Sequence, residues 1–345
     1  MKLKLFFLFL IVLIFLSAIA LCVWALRFYP LSNKEINFYK GVTLSMNASE
    51  SDLGQAKELA ANIINFVVNI HPQQEGGWQF EGYQLGGKKT WQEHLAPKIK
   101  SAHQKGLNVA VSLFISFNDE IKDPEEWLNR SRPLYEELGK FASKNNISLI
   151  FVPGEIEVVT GATCCSHNPK ADLVPTANNE LSAKGFVYWS KKIAHDLEDE
   201  LRKNFQGLIA AEYIAGNWWY KDGKLTGTPI WDMSGFYALK GGVALDEPRF
   251  DRSPAEVSYE YAKEIREIAQ KSGVSKVLFA GPLANNLERI RGQEFHFDEQ
   301  KRRAHYEIFF NQTEKLVDGY FIAKFPPPLY DPVLFAVARE WFKKL

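Results

Sequence analysis

The feature that most constrains this chain is the order of its segments. From residue 41 onward, short apolar runs of strand length alternate with stretches that carry apolar residues at helical spacing. Such alternation belongs to parallel sheets, because consecutive parallel strands need a crossover and the crossover is usually a helix. The apolar runs are GVTLSM (Gly41 to Met46), INFVVNI (Ile64 to Ile70), Leu107 to Ile115, ISLIFVPGEIE (Ile147 to Glu157), Gly207 to Ile214, Met233 to Leu239, VLFA (Val277 to Ala280) and Val317 to Ala323. Eight parallel strands close a barrel with the helices outside. The expected fold is therefore α/β, a (β/α)8 TIM barrel over residues 40–345.

Local signals agree with that frame. Ser49 caps a helix with Leu53, Ala56, Leu59 and Ala60 on one face, and Gly106 stands where a helix ending at Lys105 would stop. Pro133 is read as opening the next helix, and Phe186, Trp189, Ile193, Leu197 and Leu201 as the stripe of another. Pro254 starts a helix with Tyr259, Ala262 and Ala269 at helical spacing. The last helix bears Leu334, Phe335, Ala338, Trp341 and Phe342. Between the fifth and sixth runs the chain offers Trp218, Trp219, Tyr220 and Trp231 in place of an obvious helix.

The N-terminus is of another kind. Leu5 to Leu26 is an unbroken run of apolar or small residues, long enough to cross a hydrocarbon core of ~30 Å at 1.5 Å per residue. Lys2 and Lys4 precede it as a charged leader. Residues 1–27 are thus expected to be one transmembrane helix or signal segment, and 28–39 a linker. The chain is expected to be held in the cell membrane through residues 5–26 with its barrel outside the cytoplasm. It would be secreted if the segment is cleaved at the A-x-A formed by Ala18 and Ala20.

Charge removes one class of partner. Lysine plus arginine and aspartate plus glutamate number 41 each, so no net positive field exists to hold a nucleic-acid backbone. Cys22 lies in the apolar run and Cys164 and Cys165 are adjacent, which is not the pattern of a disulfide scaffold. The strand ends lack the His/Asp spacing of a metal-dependent hydrolase, so neither a metal nor a cofactor is expected.

In a barrel of this type the functional groups sit at the C-terminal ends of the strands. Glu155 follows the apolar LIFVPG, which would carry its carboxyl into the mouth of a dry interior, where desolvation raises an acid's pKa toward neutrality. A proton donor to a glycosidic oxygen needs that property. Glu157 shares its parity further out, and His71 and Tyr237 lie at the second and sixth strand ends. Trp78, Trp218 and Trp219 fall in strand-to-helix loops, where flat rings stack on the apolar faces of pyranose sugars. Carbohydrate is therefore the expected ligand.

Several segments together resemble the clan A glycoside hydrolases, in particular the family 113 β-mannanases. They are AHQKGLNVAV, IFVPGEIE, EYIAGNWW and PIWDMSGFYAL, in the order the barrel requires. The resemblance implies a (β/α)8 barrel and a retaining mechanism. It matches Glu155 to the family's acid/base, Asn217 and Trp218 to the N-W of its fifth-strand loop, and Tyr237 to its sixth-strand tyrosine. Where the family places its nucleophile, this chain has VLFAGPLANN, without a carboxylate. Glu212, on the fifth strand, is then the first choice for the second carboxylate, with Glu288 and Glu294 in reserve. The expected activity is glycoside hydrolysis of a hexose-based oligo- or polysaccharide; the alternative is a barrel that binds such glycans without turning them over.

Overall fold

The computed structural model describes residues 36–72, 78–80, 90–115, 124–152, 180–214, 220–221, 224–225, 236–240, 259, 262–263, 266–267, 269–270, 276–280, 298–324 and 331–345. The chain divides into Met1–Asn37 and Phe38–Leu345. The apolar run Leu5 to Leu26 lies outside the described residues. Among those described, no helix is long and apolar enough to cross a membrane.

Eight strands form a single parallel ring within the second unit: β1 (Tyr39–Ser45), β2 (Ile63–Pro72), β3 (Asn108–Ile115), β4 (Leu149–Val152), β5 (Leu208–Ile214), β6 (Phe236–Lys240), β7 (Lys276–Ala280) and β8 (Gly319–Lys324). Each pairs with the next, and β8 returns to β1, so the sheet has no free edge within the ring. Followed once around, these pairings shift the register by eight residues, the stagger of a TIM barrel. All eight expected strands are present. The expected fold class is borne out as a barrel of TIM type.

Helices α1 (Glu50–Glu58), α2 (Trp91–Gln104), α3 (Pro124–Lys144), α4 (Glu180–Arg202), α5 (Glu299–Thr313) and α6 (Pro332–Lys344) surround the ring, and residues 259, 262–263, 266–267 and 269–270 are helical between β6 and β7. Their ends follow from local chemistry. Ser49 with Asp52 and Thr90 with Glu93 make reciprocal capping boxes, each satisfying two amides that a helix start leaves open. Gly106, at φ +73°, ends α2 in the left-handed conformation that glycine adopts without Cβ strain. Asp331 caps α6, its carboxylate accepting from the Val333 amide at 2.9 Å and from the Tyr306 hydroxyl at 2.7 Å.

One expectation needs correction. Pro133 does not open a helix: α3 starts at Pro124, where a missing N–H costs nothing and Glu125 and Glu126 complement the helix dipole, and it runs through Pro133. Tyr259 is exposed, whereas Ala262 and Ala269 on the same helix are fully buried.

The main apolar layer lies between strands and helices. Val42, Leu44, Ile64, Phe66, Val68, Val109, Val111, Ile150, Ile209, Ala211, Val277, Phe279, Tyr320 and Ile322 belong to it, with Trp127, Tyr135, Phe309, Phe310 and Trp341 from the helices. Ring pairs are dense near α5: Phe279–Phe309 at 5.0 Å and Phe310–Tyr320 at 4.9 Å, both edge-to-face. At the N-terminal end of the ring, the Asp318 carboxylate accepts from Arg266 Nη2 at 2.6 Å and from the Val277 amide at 2.7 Å, and its backbone joins β1 to β7.

Candidate active site

Residues in register on neighbouring strands share a face, so a few contacts identify every position that faces the lumen. Phe151 of β4 and Phe321 of β8 meet edge-to-face across the barrel, centroids 5.2 Å apart. Gly41 makes room for them, since a Cβ there would stand 2.3 Å from the Phe321 ring. Asn65 donates to Ser112 Oγ at 3.0 Å and to Thr43 Oγ1 at 3.4 Å, joining β1, β2 and β3 through the interior. These contacts fix the lumen set as Gly41, Thr43 and Ser45 on β1; Ile63, Asn65, Val67, Asn69 and His71 on β2; Ala110 and Ser112 on β3; and Phe151 on β4.

The same register extends around the ring. Phe151 pairs with Ala210, Glu212 lies two residues beyond Ala210, and Glu212 pairs with Ala238 of β6. Glu212 is therefore a lumen position. Allowing one residue of climb per strand, it shares a level with Thr43 and Ser112. Burial shows which end of the barrel is open. Thr43, Asn65 and Ser112 are 9%, 3% and 2% exposed, whereas Ser45, Val67 and Asn69, nearer the C-terminal ends, are half-exposed. Register thus puts Glu212 at a lumen position on the level of Thr43 and Ser112, one step short of the half-exposed ring positions toward the C-terminal ends.

His71 and Trp78 also come together at this end. The short strand Trp78–Phe80 runs antiparallel to the end of β2, with Trp78 opposite Pro72 and Gln79 opposite His71. Nearby, Lys98 of α2 donates to the Ala48 carbonyl at 2.6 Å and ties down the loop after β1. Burial holds the Lys98 ammonium below the usual lysine range.

Tyr237 is placed differently. It pairs with Ala211 and Val277, both members of the outward apolar layer, so the register separates it from Glu212. Glu155, Glu157, Asn217, Trp218 and Trp219 lie outside the described residues, as do Glu288, Glu294, Cys164 and Cys165. A pairing of Tyr220–Lys221 with Lys224–Leu225 follows Trp219, and no helix occurs among the described residues between β5 and β6.

Sequence reasoning passed over Lys240, which ends β6 in register with Ile214 and so has lumen parity. Its signal was faint: a lysine directly after an apolar strand. Asn65, a polar residue inside an apolar run, was the better clue.

No protein-family model and no curated protein matches the chain. Solved structures match across most of its length. A GH113 beta-1,4-mannanase superposes with a TM-score of 0.59 at 13% identity over 90% of this chain and 100% of its own. The hyperthermostable endo-1,4-beta-D-mannanase from Thermotoga petrophila RKU-1, solved with maltose and glycerol, gives 0.59 at 13% identity over 89% and 100%. A GH5-4 broad specificity endoglucanase from Clostridium longisporum gives 0.57 at 10% identity over 90% and 97%. At such identities the likeness establishes the barrel fold.

Proposed function

We propose that this barrel is a glycoside hydrolase acting on a β-linked hexose oligo- or polysaccharide, with Glu155 as general acid/base and Glu212 as the second carboxylate. The observation that carries the reading is the register of Glu212, a lumen position on the fifth strand of a barrel whose fold is similar to those of mannanases and an endoglucanase. Glu155 is assigned to the pair from the resemblance of IFVPGEIE to the segment that carries the family's acid/base.

In this arrangement Glu155 protonates the glycosidic oxygen as the bond to the anomeric carbon breaks. Glu212 either attacks that carbon or takes a proton from the water that does. Carboxyl groups about 5 Å apart give retention of configuration, and a gap of about 6.5–9.5 Å gives inversion. His71 and the rings of Trp78, Trp218 and Trp219 would hold the sugar, with Asn217 and Glu157 supplying polar contacts. We extend the proposal to location: an anchor through residues 5–26, with the barrel outside the cytoplasm.

The test is release of reducing ends from β-1,4-mannan, β-1,4-glucan and their hexaoses by the full chain in detergent. Glu155→Gln should lower kcat by 10² or more, on the order expected for loss of a general acid, with KM little changed. Turnover equal to that of the unsubstituted protein would overturn the assignment. A second reading rests on the sequence after β7, where Gly281 and Pro282 replace the carboxylate that the resembled family carries. On that reading the barrel binds glycans without cleaving them. Unchanged glycan binding by Glu155→Ala, with no turnover by the unsubstituted protein, would select it.

A further inference from the structure

The helices on either side of β1 leave a hollow between them on the outer surface of the barrel. α1 follows β1 and α6 follows β8, these two strands pair in parallel, and the hollow between the helices has a volume of about 390 Å³. The sheet stands between it and the lumen. Small-ligand sites are of this size, at roughly 300–1,000 Å³.

Its floor is apolar. Leu59, at the end of α1, and Phe335 of α6 are 4% and 8% exposed and belong to the layer that packs helices on strands. Pro332 and Ala336 continue the floor along α6. From Pro332 to Arg339 the helix rises about 10 Å at 1.5 Å per residue, which is the length of a disaccharide unit in a β-1,4-linked chain.

The rim is polar and balanced in charge. Gln55 and Glu58 line one side and Arg339 the other, and all three are exposed. Glu58 and Arg339 make no hydrogen bond or ion pair with each other or with any other described residue. Their neighbours in sequence are engaged elsewhere: Lys57 reaches toward Gly106 at the end of α2, and Glu340 accepts from Arg303 Nη2 at 2.6 Å.

We propose that this hollow is a saccharide-binding site on the flank of the barrel, separate from the lumen, which holds a short stretch of a neutral β-linked hexose chain. The choice of occupant rests on the hydrolase reading above, and the lining supplies the matching chemistry. A pyranose ring presents apolar C–H faces and a girdle of hydroxyls. The floor covers a face of the ring. Around it the Glu58 carboxylate accepts from hydroxyls, the Arg339 guanidinium donates to their oxygens as a fork, and the Gln55 amide can do either. Opposite charges on the two rims cancel, which disfavours a phosphate or uronate and a cation alike. A second hold on a polymer raises its effective concentration at the barrel mouth, so the flank matters for long chains and not for short ones.

The test is retention of the full chain, in detergent, on insoluble β-1,4-mannan and β-1,4-glucan. Ala336→Trp, which fills the hollow, should weaken retention about tenfold, and Arg339→Ala and Glu58→Gln about threefold each, as for one charged hydrogen-bonding group at an exposed site. Turnover of the polymers should fall with retention, whereas kcat/KM on the soluble hexaoses stays as it was. Retention indifferent to all three substitutions overturns the proposal. Should Ala336→Trp fail to fold, the two rim variants, whose side chains are exposed, decide alone. A dimer in sedimentation that Ala336→Trp disrupts, with retention unchanged, would make the hollow an interface between two copies and overturn the saccharide site. Retention that depends on the flank, without turnover of any glycan, keeps this site and sinks the hydrolase; turnover of hexaoses with flank-independent retention does the reverse.

Discussion

A single missing side chain organises the barrel interior. Gly41 stands opposite Phe321, whose ring occupies the space that a Cβ at 41 would need, and Phe321 in turn meets Phe151. The position tolerates no Cβ without moving a ring in a close-packed interior. Gly41→Val should therefore lower stability by about 2–3 kcal/mol through overpacking. Combining it with Phe321→Leu should return part of that loss, since the clash is with the ring alone. Urea unfolding of the two single variants and the double checks this, and an additive double variant would show that the ring is not the obstacle. The neighbouring polar group, Asn65 with Thr43 and Ser112, is satisfied internally, which is how a buried amide avoids the desolvation penalty of an unmade bond.

The strands and helices were legible in the sequence for a reason that also limited what could be read. Each strand of a closed parallel barrel is covered on both faces, so it appears as a continuous apolar run that is easy to find but has no period-two alternation. FYALK shows the consequence: the strand was expected, yet nothing in it says that Tyr237 shares the parity of Ala211 while Lys240 shares that of Glu212. Pairing register, which the sequence does not encode locally, decides the matter. Helix ends at Ser49 and Gly106 were readable because their capping chemistry is local. The start at Pro124 was missed because Pro133 carried the same signal in the middle of the helix.

Two further predictions belong to these elements. Asp318 joins β7, β1 and the helix bearing Arg266 at the closed end of the ring, and Asp318→Ala should cost about 2–4 kcal/mol by leaving a half-buried guanidinium and an amide without their acceptor. Loss of less than about 1 kcal/mol in urea unfolding would mean that water replaces the carboxylate there. On α5, burial pushes the His305 imidazole down to about 4 from an ordinary 6.5. The unfolded chain then takes up a proton near pH 6.5 while the folded chain resists until about pH 4, so this contribution is whole above 6.5 and disappears on acidification through that window. His305→Leu should remove about 2 kcal/mol of the difference in stability between pH 7.5 and pH 4.5, seen as a shallower fall in the urea midpoint.

At the scale of the whole molecule the barrel is asymmetric: its N-terminal end is tied shut by Asp318, Arg266 and the backbone bonds of β1, β7 and β8, and its lumen opens only as the strands approach their C-terminal ends. Ile63 and Val67, two turns of the pleat apart on β2, mark the change from buried to half-exposed on one face of one strand. If a sugar chain enters by that mouth, thiols at the two positions must respond differently. In a background with Cys22, Cys164 and Cys165 replaced by serine, Val67→Cys should react readily with a small maleimide, and Ile63→Cys on the order of 10³ times more slowly, because its exposure needs an opening of the fold. A β-1,4-linked hexaose at saturation should slow labelling at 67 and leave 63 as it was. Protection at neither position would place the glycan away from the lumen, and Glu212 with it outside the path of the substrate.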